Sequence, residues 1–230
     1  MTIAPAGALV RPSQLRDFTA DQLIENERPD AVLLNLDEAI KKDPKDGKLY
    51  TLRATIYNRL NEYDRAKHDA DKAVELSPSN AEAHGQRALT LLALGELRAS
   101  MKEANLYLKL ASEAELPEAF DLRGFICLVA KKYSFAIVDF NTAISMSPKS
   151  PYFYVNRADA FTGFGVYERA LKDCNKALDL LRNADTPMEW STRASAYGAR
   201  SRMYQKMNNQ DLARQDKQEE LHILRDRLGL

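Results

Sequence analysis

Histidine, cysteine and tryptophan are scarce in this chain, which holds three, two and one of them among 230 residues. Few imidazole or thiol side chains are therefore available as metal ligands or nucleophiles. Cys127 and Cys174 have neither metal-ligand spacing nor the pattern of a disulfide framework. His68, His84 and His222 share no spacing with a carboxylate or thiol. A phosphate-cradling G-x-x-x-x-G-K-[ST] loop is missing, as are a dinucleotide G-x-G-x-x-G and an H-E-x-x-H zinc helix. No catalytic residue, cofactor or metal is expected, and the chain reads as a non-enzyme.

Excess charge is missing too. Thirty-three basic residues meet thirty-three acidic ones, whereas a nucleic-acid binder needs surplus Lys and Arg to displace phosphate counterions. Nine glycines and nine prolines are too few for a linker-rich or collagen-like chain. No apolar run approaches the roughly 18 residues of a membrane span. The opening MTIAPAGALVRPS lacks the basic region of a signal peptide. Residues 1–12 read as a flexible lead-in, and a cytoplasmic location is the default expectation.

What is present is a repeat. YTLRATIYNRLNEYDRAKHDADKAVELSP (50–78), FDLRGFICLVAKKYSFAIVDFNTAISMSP (120–148) and YVNRADAFTGFGVYERALKDCNKALDL (154–180) share one register. Pro44 and Pro78 stand 34 residues apart and Pro148 a further 70, which is two such periods plus two inserted residues. The intervening copy is HGQRALTLLALGELRASMKEANLYLKL (84–110). Tyr154, Ala158, Phe161 and Phe164 recur at helical spacing, and Tyr167, Ala170, Cys174 and Ala177 form a second stripe. Between the stripes falls Gly165, with Asn61, Gly95 and Asn208 at the same place elsewhere. These residue types tolerate the left-handed conformation that stops a helix. Lys131 is the exception.

Small residues (Ala66, Ala73, Ala136, Ala143, Ala170, Ala177) would let paired helices approach closely. Thr186-Pro187-Met188-Glu189 reads as a capped helix start. The last repeat's first helix therefore begins near 187, and a polar helix over about 209–228 closes the chain. Arg53, Arg87, Arg123, Arg157 and Arg200 recur at one position, with Asp69, Glu103, Asp139, Asp173 and Asp216 at another. Their joint recurrence favours an Arg–carboxylate ladder tying helices together over a basic ladder for an acidic ligand.

A 34-residue helix–turn–helix period with small contact residues and a terminal proline resembles the tetratricopeptide-repeat (TPR) family. The resemblance implies an all-α, right-handed superhelical solenoid of antiparallel helix pairs, about six in number. A TPR domain over 13–230 would place repeats at 13–46 (degenerate, with Val32 and Ala39 its best matches and Thr19 with Gln22 like a capping box), 47–80, 81–114, 117–150, 151–184 and 194–227. The last carries Glu220 where alanine is usual.

In this family the first helices line a groove. The resemblance thus assigns Asn58, Arg59, Leu89, Leu92, Phe125, Leu128, Val129, Tyr152, Val155, Asn156, Asp159 and Arg202 to a peptide-binding surface, with Ala93 in its apolar centre and Lys48, Thr51, Gln205 and Lys206 on its flanks. The expected role is a protein-interaction adaptor or scaffold holding a peptide or helix of a protein partner. Alternatives are a self-assembling homo-oligomer, joined through the groove or through Leu221, Ile223, Leu224 and Leu228, and a non-catalytic subunit of an enzyme complex. Family members that grip a chaperone's C-terminal carboxylate use Lys and Asn on one repeat, Asn on the next, and Lys and Arg on the third. Here only Asn156 fits; Asp121 and Phe125 precede it and Ser195 and Ala199 follow, so that clamp is absent.

Overall fold

The computed structural model describes residues 29–229; the lead-in at 1–12, the Thr19–Gln22 capping box and the first helix of the repeat at 13–46 lie outside them. Among the described residues the backbone forms eleven α-helices and no strand. They are α1 (Pro29–Lys42), α2 (Gly47–Arg59), α3 (Tyr63–Leu76), α4 (Ala81–Ala93), α5 (Leu97–Leu110), α6 (Leu116–Val129), α7 (Tyr133–Met146), α8 (Pro151–Phe164), α9 (Tyr167–Leu180), α10 (Pro187–Lys206) and α11 (Gln210–Leu228). The chain divides into two compact units, one ending at Glu113 and the other beginning at Ala114. The division falls beside the two residues inserted between repeats. In the first unit α2 pairs with α3 and α4 with α5; in the second α6 pairs with α7, α8 with α9 and α10 with α11.

The first helix of each repeat from the second to the sixth ends where the sequence supplies a residue for the turn. Asn61, Gly95, Lys131, Gly165 and Asn208 all take positive φ, between 57° and 85°. Lys131 does so at φ 57° despite its Cβ, a conformation that costs an L-residue roughly 1–2 kcal/mol. Lys131→Gly is therefore expected to stabilise the C-terminal unit by about 1 kcal/mol, after glycine's greater entropy loss is subtracted. A higher denaturant midpoint checks this; an unchanged or lower one refutes it.

The start of α10 is a closed capping box. Thr186 Oγ1 accepts from the Glu189 amide at 3.2 Å, and Glu189 Oε2 accepts from the amides of Asp185 and Thr186 at 3.0 and 3.1 Å. Those amides hold the Glu189 carboxyl below its usual range. The helix spans 20 residues against 13 or 14 for the other first helices.

Close packing depends on the small residues. Ala66, Ala73, Ala136, Ala143, Ala170 and Ala177 are fully buried, so ridges of one helix enter the grooves of its partner. Between them sit larger apolar groups. Val32, Leu36 and Ala39 of α1 pack on Leu49, Leu52 and Ile56 of α2, and Ala158 and Phe161 of α8 pack on Cys174 of α9 and Met203 of α10. Each fully buried Leu or Ile contributes about 1.5–3 kcal/mol.

The ladder ties helices together within each repeat. Arg53, Arg123, Arg157 and Arg200 each grip the aspartate 16 residues on with Nε and Nη2 at 2.6–2.8 Å. A third arm reaches the preceding repeat: Nη1 of Arg53 meets Asp37, that of Arg157 meets Asn141 and that of Arg200 meets Asn175, at 2.6–2.7 Å. Arg87 is looser, 3.6 Å from Glu103 and 2.8 Å from Asp71. The Glu103 carboxylate is drawn aside by His84 Nδ1 at 2.7 Å. His84 itself stands where other repeats carry tyrosine or phenylalanine. Its Nε2 lies 3.0 Å from the Pro78 carbonyl, as the hydroxyls of Tyr50 and Tyr154 lie 3.2 and 3.0 Å from those of Pro44 and Pro148.

Candidate functional site

The first helices carry the exposed apolar side chains expected of a binding face, and the two units present them separately. In the N-terminal unit α2 packs beside α4. Leu89 is exposed, Leu92 half-buried and Ala93 exposed. Asn58 is held from α2 to α4, its Nδ2 2.9 Å from Thr90 Oγ1, which donates back to Asn58 Oδ1 at 3.0 Å. Arg59 is exposed. Thr51, expected on the groove flank, is instead fully buried, its hydroxyl donating to the Gly47 carbonyl at 3.1 Å.

In the C-terminal unit α8 lies between α6 and α10. Phe125 and Leu128 are half-buried, and Val129 and Tyr152 are exposed. A hollow of about 330 Å³ opens on this face, lined by Phe125, Tyr152, Val155, Asn156, Asp159, Ser191, Thr192, Ser195, Arg202 and Glu220. Its volume is at the low end of ligand pockets. Val155 and Asn156 are largely buried and form its inner wall.

The polar groups of the hollow are tightly coupled. Asn156 Nδ2 donates to both oxygens of Asp121, at 2.9 and 3.1 Å. Asp121 is only 4% exposed. Burial, with Glu118 nearby, pushes its carboxyl up to about 7, the Asn156 hydrogen bond offsetting part of the shift. Arg202 Nη2 donates to Asp159 Oδ1 at 2.8 Å, and the Thr192 hydroxyl donates to the Met188 carbonyl at 2.9 Å.

Six of the residues assigned from the sequence thus share this hollow: Phe125, Tyr152, Val155, Asn156, Asp159 and Arg202. Four others line it as well. Ser191 and Thr192 lie on the extra turns of α10 that precede the sixth repeat, where a fixed repeat register assigns nothing. Ser195 stands at a groove position, and Glu220 belongs to the second helix of its hairpin.

Glu220 had a legible signal. Alanine occupies the equivalent place in three repeats (Ala73, Ala143, Ala177), and Glu220 is matched by a glycine on the facing helix. A Cβ at Gly198 would lie 2.9 Å from Glu220 Cδ and Oε1. The third repeat uses the same device, with Gly85 making room for the Tyr107 ring. In both pairs the glycine precedes the bulky residue by 22 positions.

Other groups lie away from this face. Cys127 and Cys174 are buried and not joined by a disulfide; burial pushes both thiols up, that of Cys174 to about 12. Of the apolar residues of α11, Ile223 is buried within the chain and Leu221 is exposed. Phe135 and Val138 stand exposed one turn apart on α7. No helix among the described residues is long and apolar enough to cross a membrane.

The comparisons agree with this architecture. A family model described as "Tetratricopeptide repeat" matches residues 35–68. The wheat (Triticum aestivum) Hsp70-Hsp90 organizing protein is 27% identical over 62% of this chain and 31% of its own length. Mouse (Mus musculus) tetratricopeptide repeat protein 33 is 35% identical over 40% of this chain and 34% of its own. The chain therefore spans about a third of the length of these relatives. Among solved structures, PilW, a type IV pilus biogenesis factor, superposes with a TM-score of 0.74 at 16% identity, covering 91% of this chain and 90% of its own. Repeats in the sequence, helical hairpins in the structure and these relatives agree: the chain is similar to tetratricopeptide-repeat proteins and has their all-α repeat fold.

Proposed function

We propose that this chain is a protein-interaction module that holds a short segment of a partner protein on its first-helix face, with the principal site on α6, α8 and α10. The supporting observation is the hollow beside Phe125, Tyr152 and Val155, an apolar surface edged with polar groups on the face left open between helix pairs. An aromatic anchor burying on the order of 150 Å² there contributes about 4 kcal/mol. Two such anchors supply about 8 kcal/mol before the cost of association is subtracted, so micromolar affinity also draws on the remaining contacts of the segment. The relatives' names include an organizer of two chaperones, in keeping with a scaffold role. The same reading makes the chain a cytoplasmic adaptor without chemistry of its own.

A random-peptide library displayed on phage and selected on the intact chain tests this. Selected peptides are expected to bind in fluorescence anisotropy, and Phe125→Glu with Tyr152→Glu to weaken them at least about tenfold, or 1.4 kcal/mol. Phe135→Glu, on α7, serves as the control and should change nothing. Peptides bound equally well by the double variant, or no peptides at all, would remove the assignment.

A further inference from the structure

We propose that the hollow between α8 and α10 is a subsite for an arginine side chain carried by the bound segment. The assignment extends the peptide-holding reading above and identifies the chemistry that the polar end of the site selects.

Three donors suited to an anion are already committed within the chain. The Asn156 amide nitrogen serves both oxygens of Asp121, so Asp121 takes the place a ligand carboxylate would fill. Arg202 is held by Asp159. The Thr192 hydroxyl proton goes to a backbone carbonyl. What lines the hollow otherwise is acceptor-rich. Asp159 and Glu220 each use one oxygen on a basic neighbour, Arg202 and Lys217 respectively, which leaves each with a second. Carboxylates outnumber guanidinium groups in the lining by two to one.

Glu220 makes the strongest case. Its side chain is 17% exposed, at a place where three other repeats bury alanine. Half-burying a carboxylate costs free energy unless a cation meets it. Its partner in the chain, Lys217, is an exposed neighbour one helical turn away, and such surface pairs contribute little. The hairpin has nonetheless given up the side chain at position 198 to admit this carboxylate. The surface pair with Lys217 offsets little of the cost of burying the carboxylate, and a ligand cation offsets the rest. Arginine suits the site better than lysine because a planar guanidinium can face two carboxylates and lie against an aromatic ring, and Phe125 and Tyr152 supply rings in the same lining.

The test uses the intact ¹⁵N-labelled chain titrated with Nα-acetyl-arginine amide. Two companions complete it: the citrulline amide, an uncharged isostere, and the glutamate amide. The arginine compound is expected to give saturating shifts at the backbone amides of Ser191, Thr192 and Ser195. Citrulline should bind at least about tenfold more weakly, and glutamate should give no saturating shift. Glu220→Gln, and separately Asp159→Asn, should each weaken arginine binding severalfold while the spectrum stays folded. Equal binding of citrulline, stronger binding of glutamate, no saturating shift with any compound, or full arginine affinity in both variants would overturn the proposal. The two readings fail separately. Library peptides that dock through Phe125 and Tyr152 without a basic residue would leave the peptide-holding role standing and remove the subsite. Arginine binding without any selected peptide would do the reverse.

Discussion

Arg157→Leu is expected to destabilise the C-terminal unit by about 3–5 kcal/mol, the range for removing one partner of a buried ion pair. Asp173 is 6% exposed, and both its oxygens are satisfied by Arg157 at 2.7 and 2.8 Å. Without the guanidinium that carboxylate is left buried and unpaired. The same guanidinium lies over the rings of Tyr154 and Phe161 at 5.6 and 5.7 Å, so packing is lost as well. The loss should be recovered in large part by Arg157→Leu with Asp173→Leu, since apolar replacements of similar volume commonly match a buried pair. Urea denaturation of the single and double variants measures both effects. A single variant within 1 kcal/mol of wild type, or a double variant no better than the single, would contradict the structural role of the ladder.

The second large effect is a pH dependence centred on Asp121. Its carboxyl, pushed up to about 7 in the fold, stands near its ordinary value of 3.8 when the chain unfolds. Between these values the folded state keeps a proton that the unfolded state has released. Stability is therefore highest at the acid end of the window and falls as pH rises towards 7, by up to about 1.4 kcal/mol per unit. Asp121→Asn replaces the protonated acid with a neutral near-isostere that still accepts from Asn156. The variant is expected to match wild type near pH 4 and to exceed it in stability by several kcal/mol at pH 8. The difference between the two proteins isolates Asp121, because the remaining titrating groups are shared. Parallel stability curves across the window would show that the buried carboxyl does not titrate there.

The sequence made the repeat legible because packing of paired helices demands the same residue types at the same places. The left-handed stops at Asn61, Gly95, Gly165 and Asn208, the early start of α10 at Pro187 and the Arg–carboxylate pairs all follow from local chemistry within one hairpin. Lys131 was visible as an anomaly in that pattern, and it takes the same left-handed conformation as its counterparts. Less legible was anything set by a second element. Thr51 falls at a groove register but is sealed beneath its neighbours. The third arm of Arg53, Arg157 and Arg200 reaches a residue of the preceding repeat whose type varies among Asp37, Asn141 and Asn175, so no recurring letter marks it. Ser191 and Thr192 enter the hollow because nine residues are inserted before the sixth repeat. Glu220 was noticeable as a departure from alanine, yet its meaning emerged only with Gly198 facing it.

The varying partner of that third arm gives the two units unlike seams. In the N-terminal unit Arg53 Nη1 meets Asp37 and Arg87 Nε lies beside Asp71, side chains 44% and 40% exposed, so repeats are joined there by charge at the edge of the solvent. In the C-terminal unit the third arm meets the neutral amides of Asn141 and Asn175. Dissolved ions screen the first kind of contact over about 8 Å at physiological ionic strength and leave the second nearly untouched. Added salt thus weakens the joints at Asp37 and Asp71 more than those at Asn141 and Asn175.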